Sequence, residues 1–411
     1  MRSIRFWLLC ALLALPVPAL AQEAQPAANA VAGKDGFSLR SADGNFQFRL
    51  RGYVQLDGRF YQGDDERPAT DTFVLRRVRP IFEGTVLKIF DFRIMPDFGN
   101  GQTALQDAHL DVRFSPAVRL RAGKFKPPVG LERLQSGTDI LFVERAHPTS
   151  LVPNRDLGVQ LFGDLAAGKA TYAVGVFNGV VDGGSGDLDN NDGKDVAARV
   201  FFTPVKGLGF GVGGSVGDQE GTVTAPGLPA LRTPGQQTFF SYRTDGTAPN
   251  TAIAGGDRTR ISPQGYYYRG PFGLLAEYAV SSQEVRRGDV VEELENTAWQ
   301  VAGSWVISGG EPSFRAVAPK VNFDPAAGTW GAFELAARVS VLEIDDDAFP
   351  VFASPTSSAA KAESWALGFN WYLNKNVRFY LDYEQTEFEG GATSGDREDE
   401  SLVFSRFQIS F

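Results

Sequence analysis

The chain has 411 residues with 49 acidic against 40 basic side chains, a formal net charge of −9 that argues against nucleic acid as a partner. Its 46 glycines and 32 phenylalanines fit β-structure with many turns, while methionine and histidine are scarce, at two each. The single cysteine, Cys10, falls in a segment that reads as removable. The remaining chain then has no disulfide, no thiol nucleophile and no cysteine metal site, and no cofactor is expected.

Residues 1–21 read as a secretory signal. Arg2 and Arg5 make a positive start, Phe6 to Leu15 a short apolar run, and Ala19-Leu20-Ala21 a small-residue cleavage site. The apolar run is too short to span a bilayer, and no later run is long enough for a transmembrane helix. A soluble secreted protein would satisfy this, and so would a β-barrel, whose strands show lipid only every second residue.

Residues 22–45, rich in alanine, glutamine, glycine and asparagine, are expected to be a disordered lead-in. From Phe46 a strict alternation begins. Phe46, Phe48, Leu50, Val54, Leu56 and Phe60 alternate with Gln47, Arg49, Arg51, Tyr53, Gln55, Asp57 and Arg59. Such a run is too long for an ordinary soluble strand and suits a tilted barrel strand. The pattern predicts sixteen strands, at 46–60, 73–87, 89–98, 105–114, 117–124, 157–165, 169–178, 194–204, 207–217, 257–268, 272–285, 294–307, 329–344, 361–373, 376–387 and 400–411. The last alternates Phe407, Ile409 and Phe411 with polar residues and ends on an aromatic, as expected of a strand that closes a membrane barrel.

Loop lengths orient this barrel. Ser115-Pro116, 166–168, 204–206 and Asn374-Lys375 are tight turns, expected on the periplasmic side. The long joins 61–72, 125–156, 179–193, 218–256, 345–360 and 388–399 should face outside. One long join, 308–328, falls on the periplasmic side, so either that turn is elaborated or the register slips there. The fold class is therefore all-β, a transmembrane antiparallel barrel over 46–411. Outward residues such as Trp299, Val301, Trp305 and Ile307 would face lipid. The loop 125–156, which mixes Leu131, Ile140, Phe142 and Val143 with charges, is expected to fold into the lumen; packing on a neighbouring subunit is the competing reading.

The alternate face would line an aqueous lumen. In the first five strands it carries Arg49, Arg51, Arg59, Arg77, Arg79, Arg93, Arg113, Arg119 and Arg121, followed by Lys124 and Lys126. On the lipid face of those strands stand only Arg76 and Lys88. An arginine facing lipid near the midplane costs roughly 2–4 kcal/mol, so Arg76 should sit at a bulge or in the interfacial zone. Clustered lumen arginines lower the barrier for anions and offer bidentate hydrogen bonds to phosphate oxygens. The alternative is that they pair with Asp57, Glu83, Asp91, Asp97, Asp107 and Asp111 and only stiffen the wall. Inward basics are sparser afterwards: Arg199, Arg338, Arg378 and Arg406.

Several stretches resemble the phosphate-selective porin O and P family. They include Phe48-Arg49-Leu50-Arg51-Gly52-Tyr53-Val54-Gln55, Leu75-Arg76-Arg77-Val78-Arg79-Pro80, and Leu120-Arg121-Ala122-Gly123-Lys124-Phe125-Lys126-Pro127-Pro128 with Leu131-Glu132-Arg133-Leu134. The resemblance implies an outer-membrane porin, a homotrimer embedded in outer-membrane lipid, taking up phosphate or related small anions. It further implies Lys124 and Lys126 at a constriction, with Arg49, Arg51, Arg59, Arg77 and Arg79 as a ladder. Two other functions remain open at this stage. One is a general or weakly cation-selective diffusion pore. The other is a hydrolase, which would have to build on His109 or His147, since the chain shows no Gly-x-Ser-x-Gly or His-Glu-x-x-His motif.

Overall fold

The computed structural model describes residues 29–33, 35–63, 69–189 and 191–411. The expected signal segment lies outside the described residues. Among them, sixteen strands form one closed antiparallel sheet. In chain order they are β1 (Phe46–Gln62), β2 (Thr72–Val86), β3 (Phe90–Asp97), β4 (Ala104–Ser115), β5 (Val118–Phe125), β6 (Asp156–Leu165), β7 (Ala170–Phe177) and β8 (Asp195–Val205). Then come β9 (Leu208–Glu220), β10 (Ile253–Arg269), β11 (Phe272–Arg287), β12 (Val290–Ser308), β13 (Ala332–Glu343), β14 (Ala359–Tyr372), β15 (Val377–Ala392) and β16 (Glu400–Ser410). Each strand pairs with the next in sequence, and β16 pairs with β1 in the register Ser405↔Gly58 and Arg406↔Asp57. Closure joins the last strand to the first, as a wall in hydrocarbon demands.

The alternation read from the sequence is the one the barrel uses. Phe73, Leu110, Val159, Val212, Trp299, Leu367 and Phe407 are exposed on the outside. Gln55, Asp57, Ser262, Gln300, Ser340 and Gln408 are buried on the inside. Two of the shorter predicted strands, 157–165 and 207–217, are present as β6 and β9.

Arg76, set on the lipid face by the alternation, sits at a bulge, one of its two expected positions. Gln55 pairs with Arg77 but the next residue, Leu56, pairs with Leu75, so Arg76 is the extra residue of a β-bulge. The bulge turns its side chain inward, where Nε lies 2.5 Å from Glu144. The wall thereby avoids exposing a guanidinium to lipid.

The lead-in expected to be disordered over 22–45 contains a hairpin, Asn29–Gly33 with Gly36–Arg40. Its second strand pairs with the start of β1, Phe37 opposite Leu50 and Leu39 opposite Phe48. Phe37 also meets Phe411 edge-on at 6.2 Å. The polar composition of the segment hid a two-residue alternation that continues the outer apolar face of β1.

The long join on the short-turn end is an elaborated turn, and the pairing shifts by one residue where it begins, between Val306 and Ser308. β12 and β13 pair continuously from Thr297↔Glu343 to Val306↔Glu334. The turn between them folds back under the barrel. It buries Val317 against Val306, Ala332 and Tyr372, and stacks Phe314 on Tyr266 of β10 at 4.7 Å.

The fully buried pair Arg406–Asp57, with contacts of 2.6 and 2.7 Å, locks the closing seam. Asp57→Ala is expected to cost about 3–5 kcal/mol, because it strands a buried guanidinium, whereas Asp57→Leu with Arg406→Met should cost much less. Urea unfolding in lipid vesicles measures both; equal losses would assign the effect to packing.

Candidate functional site

The segment between β5 and β6 enters the lumen and lies against the inner faces of β10–β16. Its sequence supplies both reasons. Apolar side chains need cover, and a backbone inside the lumen needs partners for its N–H and C=O groups. Leu131 packs with Phe201 and Leu275. Phe142 fills a socket of inward alanines, Ala302, Ala336 and Ala366, with the Arg338 guanidinium 4.4 Å from its ring. Val143 packs on Tyr61, Tyr380, Leu402 and Phe404. Burying an aromatic such as Phe142 contributes about 1.5–3 kcal/mol.

The far wall satisfies the loop's backbone. Leu131 N donates to Glu277 Oε1 at 2.6 Å and Glu132 N to Oε2 at 3.1 Å. Val143 N donates to Asp382 at 2.6 Å, and His147 N to Ser340 Oγ at 3.1 Å. Asn370 donates to Leu141 O at 2.9 Å, and Gln55 to Gly137 O at 2.8 Å. A side chain at Gly137 would approach the Tyr53 hydroxyl to 3.2 Å, so glycine lets the loop press against β1.

The open path is therefore pushed against β1–β5. At the short-turn end a cavity of about 760 Å³ is lined by Arg49, Arg51, Arg79, Arg93, Arg113, Arg121, Lys126 and Arg155, with Glu83, Asp91, Asp107 and Asp111 among them. On the other side of the loop, a cavity of about 400 Å³ is lined by Arg133, Glu144, Arg145 and Arg232. Arg232 belongs to a hairpin, Ala230–Arg232 with Thr238–Ser241, folded over the mouth. Its Leu231, Phe239 and Phe240 join an apolar cluster with Leu294, Leu342 and Phe388.

Charge pairing divides the predicted residues. Arg79 pairs with Asp97 at 2.7 Å, Arg93 with Asp107 at 3.0 Å, Arg113 with Asp91 at 2.8 Å and Arg119 with Asp164 at 2.8 Å. Arg121 holds Asp111 with two contacts of 2.7 Å. Lys124 is buried and pairs with Asp187 of a later loop, so it does not stand free at the constriction. Arg59, Arg76 and Arg77 converge on Glu144 at 3.4, 2.5 and 3.6 Å. Against the opposing effect of burial, Arg76, Arg77 and Arg406 hold the Glu144 carboxyl well below the usual carboxylate range. Arg49 and Arg51, nearly half exposed, share Glu83 at 3.9 and 3.6 Å with Arg93. The run 119–126, which holds no acid in sequence, is thus largely neutralised by acids from elsewhere.

Three loop cations differ. Lys126 Nζ donates to the carbonyls of Arg133 at 2.6 Å and Gln135 at 2.9 Å. Arg145 donates to the carbonyls of Glu132 at 3.0 Å and Gln135 at 2.9 Å. Arg133 donates to Thr149 O. Among the described residues none of the three has a carboxylate within ion-pair distance. Burial, then the neighbouring Arg145 and Arg155, pushes the Lys126 ammonium well below its ordinary value. Arg145 and Arg155 were not among the residues expected from the alternation, because strand periodicity is silent about a loop. The inward alanines of β12–β14 and the inward Leu402 and Phe404 are the sequence signal that something apolar must dock there.

A sixteen-stranded barrel with one loop folded inward and short turns at one end is the architecture of an outer-membrane diffusion channel. The family model for "Phosphate-selective porin O and P" matches residues 48–411, and the chain belongs to that family. It is 24% identical to Porin O of Pseudomonas aeruginosa, over 92% of this chain and 91% of that protein. The outer membrane channel DcaP of Acinetobacter baumannii has a similar fold, with a TM-score of 0.60 at 11% identity, covering 93% of this chain and all of that one. So has the trimer form of OmpT, an outer membrane protein of Vibrio cholerae, with a TM-score of 0.56 at 12% identity, covering 89% of this chain and 99% of that one. The protein is an outer-membrane porin.

Two outcomes follow from this site. Glu277→Leu leaves two loop N–H groups without acceptors, each worth about 1–3 kcal/mol, so single-channel conductance and open-state noise should rise; an unchanged conductance would show that the apolar anchors alone hold the loop. Burial and the neighbouring arginines lower the Lys126 value, so rising pH removes its charge at a lower pH than for an ordinary lysine; anion preference should fall as pH rises, and less so in Lys126→Met. The zero-current potential across a salt gradient reads this directly.

Proposed function

We propose that this porin is an anion-preferring channel for passive uptake of phosphate or related small anions. The observation that carries it is the trio Lys126, Arg133 and Arg145, which line the cavities on the two sides of the inward loop and whose hydrogen bonds go to carbonyls. A carbonyl dipole does not cancel the charge of a cation it holds, whereas a carboxylate does. The half-exposed Arg49 and Arg51, which with Arg93 share the single carboxylate of Glu83, extend this excess toward the periplasmic mouth. Oxyanions suit such a path, because guanidinium and ammonium donors can replace part of their hydration shell. Phosphate enters the reading through the family to which the chain belongs. The general, non-specific pore stays the second reading, favoured by the ion pairs that occupy most of the other lumen arginines.

A channel is also favoured over a hydrolase. His109 Nδ1 lies 3.1 Å from Asp111, but Arg121 takes both oxygens of that carboxylate. His147 is buried and reaches Ser364 at 2.9 Å, and among the described residues no carboxylate bonds its ring. Neither makes the nucleophile–base–orienter chain that hydrolysis needs. We also infer a homotrimer, by analogy with the trimer form of the similarly folded OmpT.

Reversal potentials in planar bilayers test the reading. The wild type should be anion-selective. Lys126→Glu with Arg145→Glu should abolish or invert that preference, while Lys124→Gln should leave it nearly unchanged. A larger effect from Lys124→Gln than from the double variant would move the constriction elsewhere.

A further inference from the structure

The periplasmic vestibule has a second lobe beside the basic one. It is a cavity of about 740 Å³ beneath the inward loop, and Leu134 and Ser136 line both it and the basic cavity. Its lining includes Tyr266, Tyr268 and Phe314. These rings are organised in advance: Tyr266 stacks on Phe314 at 4.7 Å with an interplanar angle of 13°, and Tyr268 lies 5.5 Å from Tyr266. All three stay partly exposed to the lobe.

Phe314 is placed there by the elaborated turn between β12 and β13. Gln135 of the inward loop donates to Phe314 O at 2.6 Å. Ser313 Oγ donates to Ala316 O at 2.7 Å, and Ala316 N to Ser313 O at 2.9 Å. Val317 anchors the turn in the wall. A barrel needs only two or three residues to join neighbouring strands on this side. Here a long turn carries an aromatic ring to the floor of the loop. Arg315, exposed beside Phe314, adds a cation at the rim.

We propose that this lobe is a binding subsite for the flat apolar body of an organic anion whose charged head rides the basic strip. The substrate class would be aromatic carboxylates, phosphates or phosphonates, in addition to bare inorganic anions. The inference rests on the anion reading above. A bare phosphate gains nothing from aromatic rings, whereas a ring-bearing anion reaches both lobes across the Leu134–Ser136 divide. Stacking on a partly desolvated aromatic surface is favourable, and sequence-distant rings held in one place cost the ligand little ordering.

The test uses two anions with the same head group. Methylphosphonate and phenylphosphonate are titrated against the chloride current of the purified porin in planar bilayers, with the reversal potential recorded in the same membranes. Phenylphosphonate should half-block at a concentration about tenfold lower than methylphosphonate. Phe314→Leu and Tyr266→Leu should each bring the two concentrations to within about twofold without moving the reversal potential. Two variants from different segments keep the test alive if one disturbs folding. An anion-selective wild type blocked equally by both phosphonates, or variants that keep the full difference, would overturn the aromatic subsite and leave the anion reading intact. A cation-selective wild type that neither phosphonate blocks would overturn both.

Discussion

A polypeptide that folds inside a water-filled barrel must satisfy its own backbone, and that constraint organises this protein. The segment 126–155 has little regular structure, so its N–H and C=O groups depend on side chains of the wall. Glu277, Asp382, Ser340, Asn370 and Gln55 provide them. Because most of those partners sit on β11–β15, the loop is drawn to one side. The path for solute is what remains, and it runs along β1–β5. The one-sidedness of the arginine strip and the one-sidedness of the loop are the same fact seen from two walls.

The electrostatics follow from this division of labour. Acids on the far wall, such as Glu277 and Asp382, are occupied as acceptors for loop N–H groups and present little charge to the path. Acids on the near wall are clasped by arginines; Asp111 with Arg121 and Asp97 with Arg79 are tight examples. The unbalanced charge falls to cations whose only acceptors are carbonyls, and those belong to the loop. Glu144 is the hinge of the arrangement. It gathers Arg59, Arg76 and Arg77 from two strands onto one loop carboxylate, fixing the loop to the near wall, while the next residue, Arg145, donates to loop carbonyls and lines the outer cavity.

The elaborated periplasmic turn serves the same geometry from below. By stacking Phe314 on Tyr266 and offering its carbonyl to Gln135, it braces the middle of the loop against β10. The external hairpin that carries Arg232 braces the mouth from above through Leu231, Phe239 and Phe240. Loop, turn and hairpin all cover the second half of the barrel, which is why inner faces there carry alanine, leucine and phenylalanine among the polar residues that bind the loop.

The strands were legible in the sequence because a lipid-facing wall imposes a period of two on every one of them, and no other force in the chain competes with it. That period placed Arg49, Arg51, Arg79 and Arg121 on the inside and Trp299 and Phe407 on the outside. It also marked Arg76 as anomalous, and the structure answers with a bulge. Where no membrane enforces the pattern, the sequence was silent or misleading. The hairpin 29–40 looked like a polar tail, since its pairing with β1 is a matter of where an edge happens to lie free. Lys124 looked like a constriction residue until Asp187, far along the chain, came to meet it. Pairings of that kind join residues separated by whole strands, and no local rule encodes them. Membrane solvation wrote the wall into the sequence, residue by residue; the position of the loop, and with it which cations remain uncancelled, was decided only when the barrel closed and brought distant carboxylates within reach.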